Sequence, residues 1–480
     1  MSTTLALTIL ILYFTMLITV SYFTAKGADT NTFFTANRQS PWYLVAFGMI
    51  GTSLSGVTFI SVPGAVAKTQ FSYFQIVIGY GLGYFVIATI LMPLYYRLNL
   101  ISIYSYLEKR FGFWSYKTGA GFFLLSRTIG SAVRMFVAVQ VLQLAIFDKL
   151  GVPFEVSVII AMALIFVYTF KGGVKTIIVT DTLQTFFLLT ALVLTIILIT
   201  QQLNWGVGEM VSAVGESSYS NMFVWDWANK HHFVKDFLAG AFIAIVMTGL
   251  DQDLMQKNLT CKNIGEAQKN MFSFYAVLVF VNLLFLCLGA LLYIYSEKMG
   301  IQAPVKTDDL YPMLALGNQF GTLAAVTFLL GITAATYASS DSALTALTTS
   351  FCVDFMNIEQ YPEAQRQKIK HRVHLGLTVV FLIVIIIFKS LNNQEVIASV
   401  FDIAGYTYGP LLGLYAFGLY TKISVRDKLV PLVCVVSPVL TYMIVTNSAA
   451  WFGGYQIGFE KLILNGLITL VGLLVLRRSN

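Results

Sequence analysis

The chain has 480 residues, of which 57% are apolar and only 11% charged, against about 25% charged in an ordinary soluble domain. That much Phe, Leu, Ile and Val cannot be hidden inside a soluble fold of this length, and it excludes disorder as well. The net charge of +7 invites a nucleic-acid reading, but the basic residues sit in short clusters between apolar stretches; that pattern sets membrane orientation and leaves no nucleic-acid partner.

A bilayer core needs about 20 apolar residues per helix. Thirteen stretches qualify, at 5–25, 41–67, 71–97, 120–147, 154–170, 176–200, 236–256, 270–296, 320–350, 372–391, 395–420, 427–447 and 458–477. The predicted class is an all-α polytopic membrane protein, with residues 1–480 as one unit in lipid. The first stretch has no basic residues ahead of it and is long for a signal peptide, so it is expected to be retained. An odd number of spans puts the termini on opposite sides. With the N-terminus outside, the inner connections hold twenty Lys and Arg, Lys257 among them, and the outer ones seven. The excess predicts an outer N-terminus and a cytoplasmic C-terminus in the plasma (inner) membrane. Arg127, Arg134 and Lys461 are left within spans. The one long connection, 201–235, falls outside and carries Trp205, Trp225 and Trp227, as interfacial anchors or as a lid. Cys261, Cys287, Cys352 and Cys434 have no metal-binding spacing and suggest no disulfide framework.

Span 2 is crowded with Gly, Ser and Thr between Gly48 and Phe59. Such residues hold a helix poorly and free backbone carbonyls, which in lipid must find a partner. The partner is either an ion or nothing, if the small residues serve only close helix packing. Span 7 has a second weak point at Met247–Asp253. Spans 2 and 7 lie five helices apart and run in opposite directions. Each can therefore open one of two inverted five-helix units, 41–200 and 236–420, with 5–25 before them and 427–480 after. Transporters built this way bind their cargo where the helices break.

Charges inside spans are costly and usually functional. Asp181 lies near the start of span 6 and Asp341 in span 9, beside Ser339, Ser340 and Ser342. Carboxylates, hydroxyls and loosened carbonyls are the hard-oxygen set that an alkali cation prefers; the other reading is a capped or Arg-paired aspartate. Arg127 and Arg134 are seven apart on one face of span 4. Arg134 is too central to snorkel, and its planar fork suits a carboxylate of the solute or of the protein. Asp251 and Asp253, two apart, are expected on different sides of span 7, either touching the inner exit path or capping basic residues such as Lys257. His371 and His374 are expected at a solvated helix end. No Walker A loop, HExxH or GxSxG occurs, so nothing points to ATP-driven pumping or to an enzyme.

At these residues the chain resembles the sodium/solute symporter family over essentially its whole length. The most specific piece is Tyr168-Thr169-x-x-Gly172-Gly173 leading to Thr180-Asp181-x-x-Gln184. Phe59-x-x-x-Pro63-Gly64, Gln252-x-x-x-Gln256, the hydroxyl-rich span 9 running to Asp354, and Tyr408-Gly409 support it. The resemblance implies an inverted five-plus-five leucine-transporter fold. It implies a sodium site made by Gly51 and Leu54 with Ala335, Ala338 and Ser339. The family usually has a hydroxyl where this chain has Ala338, so Ser340 or a water is expected to stand in. A second cation site in some members maps to Asp181, Asp341 and Ser342. The solute would lie beside the span 2 break, among Ser53, Ser55, Thr58, Gln75 and Arg134, a set similar to that of the sialic-acid branch.

The expected function is sodium-driven import of a small organic solute by alternating access, with Na+ as coupling ion, no cofactor, and a monomeric transport unit. Proton coupling through Asp181 and Asp341, a membrane sensor that binds without transporting, and a channel are the competing expectations.

Overall fold

The computed structural model describes residues 2–227, 229–317, 319–391 and 396–478, the side chains of Leu391 and residues 396–399 excepted. In lipid each backbone polar group must be answered within its own segment, and the apolar stretches accordingly fold as helices. No strand occurs among the described residues. In chain order the apolar helices are α1 (Thr3–Thr24), the bent pair α2a (Trp42–Ser53) and α2b (Gly56–Thr69), α3 (Tyr73–Arg97), α4 (Phe113–Leu150), α5 (Phe154–Thr169) and α6 (Gly173–Gln202). There follow the bent pair α7a (Phe233–Gly249) and α7b (Gln252–Asn258), α8 (Ile264–Lys298), α9 (Gly321–Phe355), α10 (Glu363–Ser390), α11 (Gly409–Tyr420), α12 (Asp427–Thr446) and α13 (Lys461–Val475). Eight are single helices long and apolar enough to cross a bilayer alone; α2 and α7 are bent by 56° and 69°; α5, α11 and α13 are shorter. Each expected stretch overlaps one of these segments, of which ten, counting each bent pair as one span, are long and apolar enough to cross a bilayer among the described residues. The 395–420 stretch begins outside the described residues, and its described part holds the helix Val396–Thr407 and α11.

The segments pack as two groups. One contains α2, α3, α7 and α8; the other contains α4, α5, α9 and α10; α6 lies against both α2a and α9. The first group is drawn tight by small residues. Gly79 and Gly83 of α3 form a GxxxG face on α7a, where a methyl on Gly79 would lie 2.1 Å from the Phe237 carbonyl oxygen. Gly289 of α8 meets α2b in the same way, at 2.6 Å from the Pro63 carbonyl oxygen. The residues at the two bends, Leu54 and Ser55 in α2 and Leu250, Asp251 and Gln252 in α7, are buried.

Three sequence expectations change here. Lys257 does not sit in a connection: it lies in α7b, and its side chain is 2% exposed. His374 is not at a solvated end. α10 starts at Glu363, so His374 lies three turns in, fully buried, with Nε2 2.9 Å from Thr169 Oγ1 and Nδ1 2.8 Å from Thr348 Oγ1. Asp251 and Asp253 do not point apart. Asp251 has extended backbone at the break in α7, so both carboxylates reach Arg127.

Candidate solute and ion site

The two breaks are treated differently. In α7 the freed carbonyls are answered by phenols: Tyr95 Oη donates to the Gly249 oxygen and Tyr104 Oη to the Leu250 oxygen, each at 2.9 Å. Gln252 fixes the start of α7b by accepting from Ile103 N–H at 2.9 Å and donating to the Ile101 oxygen at 2.8 Å. In α2 the last backbone bond before the gap runs from Leu54 N–H to the Ile50 oxygen. The carbonyls of Gly51, Thr52, Ser53 and Leu54 meet no hydrogen-bond donor among the described residues. Buried carbonyls without donors are what an alkali ion needs.

A cavity with about 90 Å³ of free volume adjoins this break. Ser53, Ser55 and Thr58 line it from α2, Tyr73, Tyr80 and Tyr84 from α3, and Arg127 and Arg134 from α4. Ile243, Met247, Thr248 and Leu254 close it from α7, with Val400 and Phe401 beyond. Tyr73 and Phe401, stacked with ring centroids 6.5 Å apart, also line a second cleft with Lys230, His231, Asp236 and Lys461. This pair is the partition between the cavity and the end of the bundle that bears residues 201–235. On the opposite side, Arg127 pairs with Asp251 and Asp253, Tyr408 Oη donates to Asp251, and Ser342 Oγ donates to Asp253. That closure is ionic and several residues thick. The two arginines of α4 therefore differ: Arg127 is spent on α7, whereas no acid pairs with Arg134 among the described residues.

The structure brings Ser53, Ser55, Thr58 and Arg134 together around the cavity. Gln75 stands apart. It is fully buried, but Nε2 donates to the His231 oxygen at 2.9 Å and Oε1 accepts from Val224 N–H at 3.0 Å. Its amide holds the long connection against α3 and does not line the cavity.

Gly51 and Leu54 flank the α2 break, and Ala335, Ala338 and Ser339 are fully buried on α9. The two stretches meet. A methyl on Gly56 would lie 2.1 Å from Thr336 Oγ1 and 3.2 Å from Ile332 Cδ1. Ser339 Oγ donates to the Thr336 oxygen at 2.9 Å, and Ser340 Oγ lies 3.5 Å from Met135 Sδ. Thr336 was not singled out in the sequence, yet its buried Oγ1 has no hydrogen-bond partner among the described residues. Its only sequence signal is the Thr-x-x-Ser spacing to Ser339.

The other three expected cation ligands have separate partners. Asp181 Oδ2 accepts from Thr52 Oγ1 at 2.9 Å and from Lys257 Nζ. Asp341 accepts from Tyr168 Oη at 2.7 Å and from Ser342 N–H at 2.5 Å. Ser342 Oγ turns to Asp253.

Comparison with known proteins agrees with this architecture. Residues 33–425 match the sodium:solute symporter family. The chain is 24% identical over 463 residues to the sodium/sialic acid symporter NanT of Aliivibrio fischeri, covering 93% of this chain and 89% of that one. It is 22% identical over 465 residues to the sodium/sialic acid symporter SiaT of Proteus mirabilis, covering 95% and 92%. Among solved structures, a substrate-bound, outward-open Na+-coupled sialic acid symporter superposes with a TM-score of 0.82 at 20% identity, over 98% of this chain and 97% of the other. Mhp1, a nucleobase–cation symporter in a closed conformation, superposes with a TM-score of 0.59 at 14% identity, over 92% of each chain. These relatives are multi-pass transporters, not enzymes. This chain belongs to the sodium:solute symporter family.

Proposed function

We propose that the chain imports a small carboxylate-bearing solute together with sodium across the plasma (inner) membrane, acting as a monomeric unit with its N-terminus outside. The observation that carries this reading is the pairing of two unmet needs in one place. Arg134 presents a guanidinium with no acid partner to a cavity whose edge is the α2 break, and the break offers carbonyls with no donor. A planar guanidinium takes a carboxylate in bidentate fashion. Sodium would sit between the carbonyls of Gly51 and Leu54 on α2 and Ala335, Ala338 and the Ser339 hydroxyl on α9, with Thr336 as a further oxygen. Sialic acid, the solute named for two of the relatives, bears such a carboxylate.

In this reading, α2–α6 and α7–α11 are inverted repeats, and alternating access rocks the group of α2, α3, α7 and α8 against the group of α4, α5, α9 and α10. Sodium tying α2 to α9 favours the conformation that binds solute, and linkage makes the effect reciprocal. One charge moving through 100 mV supplies about 2.3 kcal/mol. The test is counterflow in proteoliposomes, preceded by a thermal-shift screen of carboxylates. Stabilisation by a carboxylate that needs sodium, and counterflow lost in choline, are expected. A carboxylate response indifferent to sodium overturns the coupling.

A further inference from the structure

We propose that Lys257 is a built-in cation that stands in place of a second sodium ion, so that each transport cycle binds one sodium where a two-site member of the fold would bind two. The inference rests on the sodium-coupled reading above and goes beyond it to the ion count.

The 69° bend in α7 turns α7b back toward the seam between α2a and α6. There Lys257 Nζ donates to both Asp181 Oδ2 and Thr52 Oγ1, and Thr52 in turn donates to Asp181. Both charged side chains are out of solvent, at 2% and 0% exposure. The seam is close because α2a presents glycine to α6: a methyl on Gly48 would lie 3.2 Å from Asp181 Cβ. The ammonium thus neutralises Asp181, one of the two carboxylates of the expected second site, and takes the hydrogen bonds of Asp181 Oδ2 and Thr52 Oγ1 that sodium would otherwise replace with coordination. Asp181 Oδ1 has no partner among the described residues, but a second cation on the same carboxylate would be repelled by the first in this low-dielectric setting. The remaining members of the expected second site are engaged elsewhere, Asp341 by Tyr168 and Ser342 by Asp253. Unlike sodium, the ammonium cannot leave. It moves with α7b, so it neutralises Asp181 without adding to the charge carried per cycle.

The experiment counts radioactive sodium bound to the purified full chain, with no solute present. Wild type is expected to bind one ion with a Hill coefficient near one. Lys257→Met leaves a buried carboxylate uncompensated and is expected to bind one ion more than wild type, with a steeper sodium dependence. The charge-neutral double variant Asp181→Asn/Lys257→Met is expected to bind as many ions as wild type. An unchanged count in Lys257→Met, or a double variant that binds one ion fewer than wild type, overturns the proposal. Should Lys257→Met fail to fold, the neutral double variant decides alone. Wild type binding no sodium while Lys257→Met gains one would sink the sodium-coupled reading and leave the role of Lys257 standing.

Discussion

Gly56 of α2b and Thr336 of α9 touch so closely that a methyl on the glycine would lie 2.1 Å from the threonine hydroxyl oxygen. No side chain fits on the glycine, so at this point the backbone of α2b meets the Thr336 hydroxyl directly, with the Ile332 side chain beside it. This contact sets the spacing between the freed carbonyls of α2 and the hydroxyl stripe of α9.

Gly56→Ala is therefore expected to push α2b away from α9 and weaken sodium binding about tenfold or more, which corresponds to about 1.4 kcal/mol. Thr336→Val keeps the shape and removes the hydroxyl. It is expected to raise the sodium concentration needed for half-maximal thermal stabilisation while leaving stability in choline unchanged. Equal sodium dependence in wild type and Thr336→Val would remove Thr336 from the ion's surroundings.

Arg134 should be intolerant even of a like charge. Lysine offers a point charge where a carboxylate meets a planar fork, so Arg134→Lys is expected to lose most carboxylate-induced stabilisation while keeping the sodium response. Arg134→Met should lose all of it. Arg127→Met is expected to behave differently, because it strands two buried carboxylates, Asp251 and Asp253. Leaving buried charge unpaired costs about 3–5 kcal/mol. The variant should unfold at a lower temperature in any ion, and a normal melting temperature would contradict the pairing.

Much of this was legible in the residues. The Gly/Ser/Thr run at 48–59 marks the α2 break, and Thr248-Gly249 marks the one in α7. Arg134 stands out as a charge with no nearby interface. What could not be read is direction. Counting charges assigns a lysine that follows an apolar stretch to the water boundary, and only the 69° bend sends Lys257 inward. The same bend brings Asp251 and Asp253 onto one guanidinium, against the rule for a continuous helix. Gln75 is a matter of helix face. It follows Tyr73 by two positions, about 200° around the axis, so when Tyr73, Tyr80 and Tyr84 face the cavity, Gln75 faces the long connection.

The phenols that answer the α7 break should also be measurable. Tyr95→Phe and Tyr104→Phe each remove a donor from a buried carbonyl, at Gly249 and Leu250. Each change is expected to cost about 1–3 kcal/mol, the penalty for a buried acceptor left unmet. Because the two phenols serve adjacent carbonyls of one break, the double variant should be non-additive. Additive losses would mean that the two hydrogen bonds act independently, and no loss in either variant would mean that the tyrosines act through packing alone.

The stacked pair Tyr73 and Phe401 is the thin side of the cavity, and the Arg127 network is the thick side. Opening toward the 201–235 connection requires one aromatic ring to move, whereas opening the other way requires an ion-pair network to part. Phe401→Ala is therefore expected to expose the cavity to that side without destabilising the opposite closure. A cysteine placed at Thr58, which lines the cavity, should react faster with an impermeant thiol reagent in a Phe401→Ala background. The native cysteines, three buried and Cys287 partly so, set the background rate. Sodium should still protect the fold of this variant, because the oxygens of α2 and α9 proposed to hold the ion are untouched. If labelling at position 58 is no faster without the Phe401 ring, the partition lies elsewhere, and the route from cavity to water does not pass between Tyr73 and the Val396–Thr407 helix.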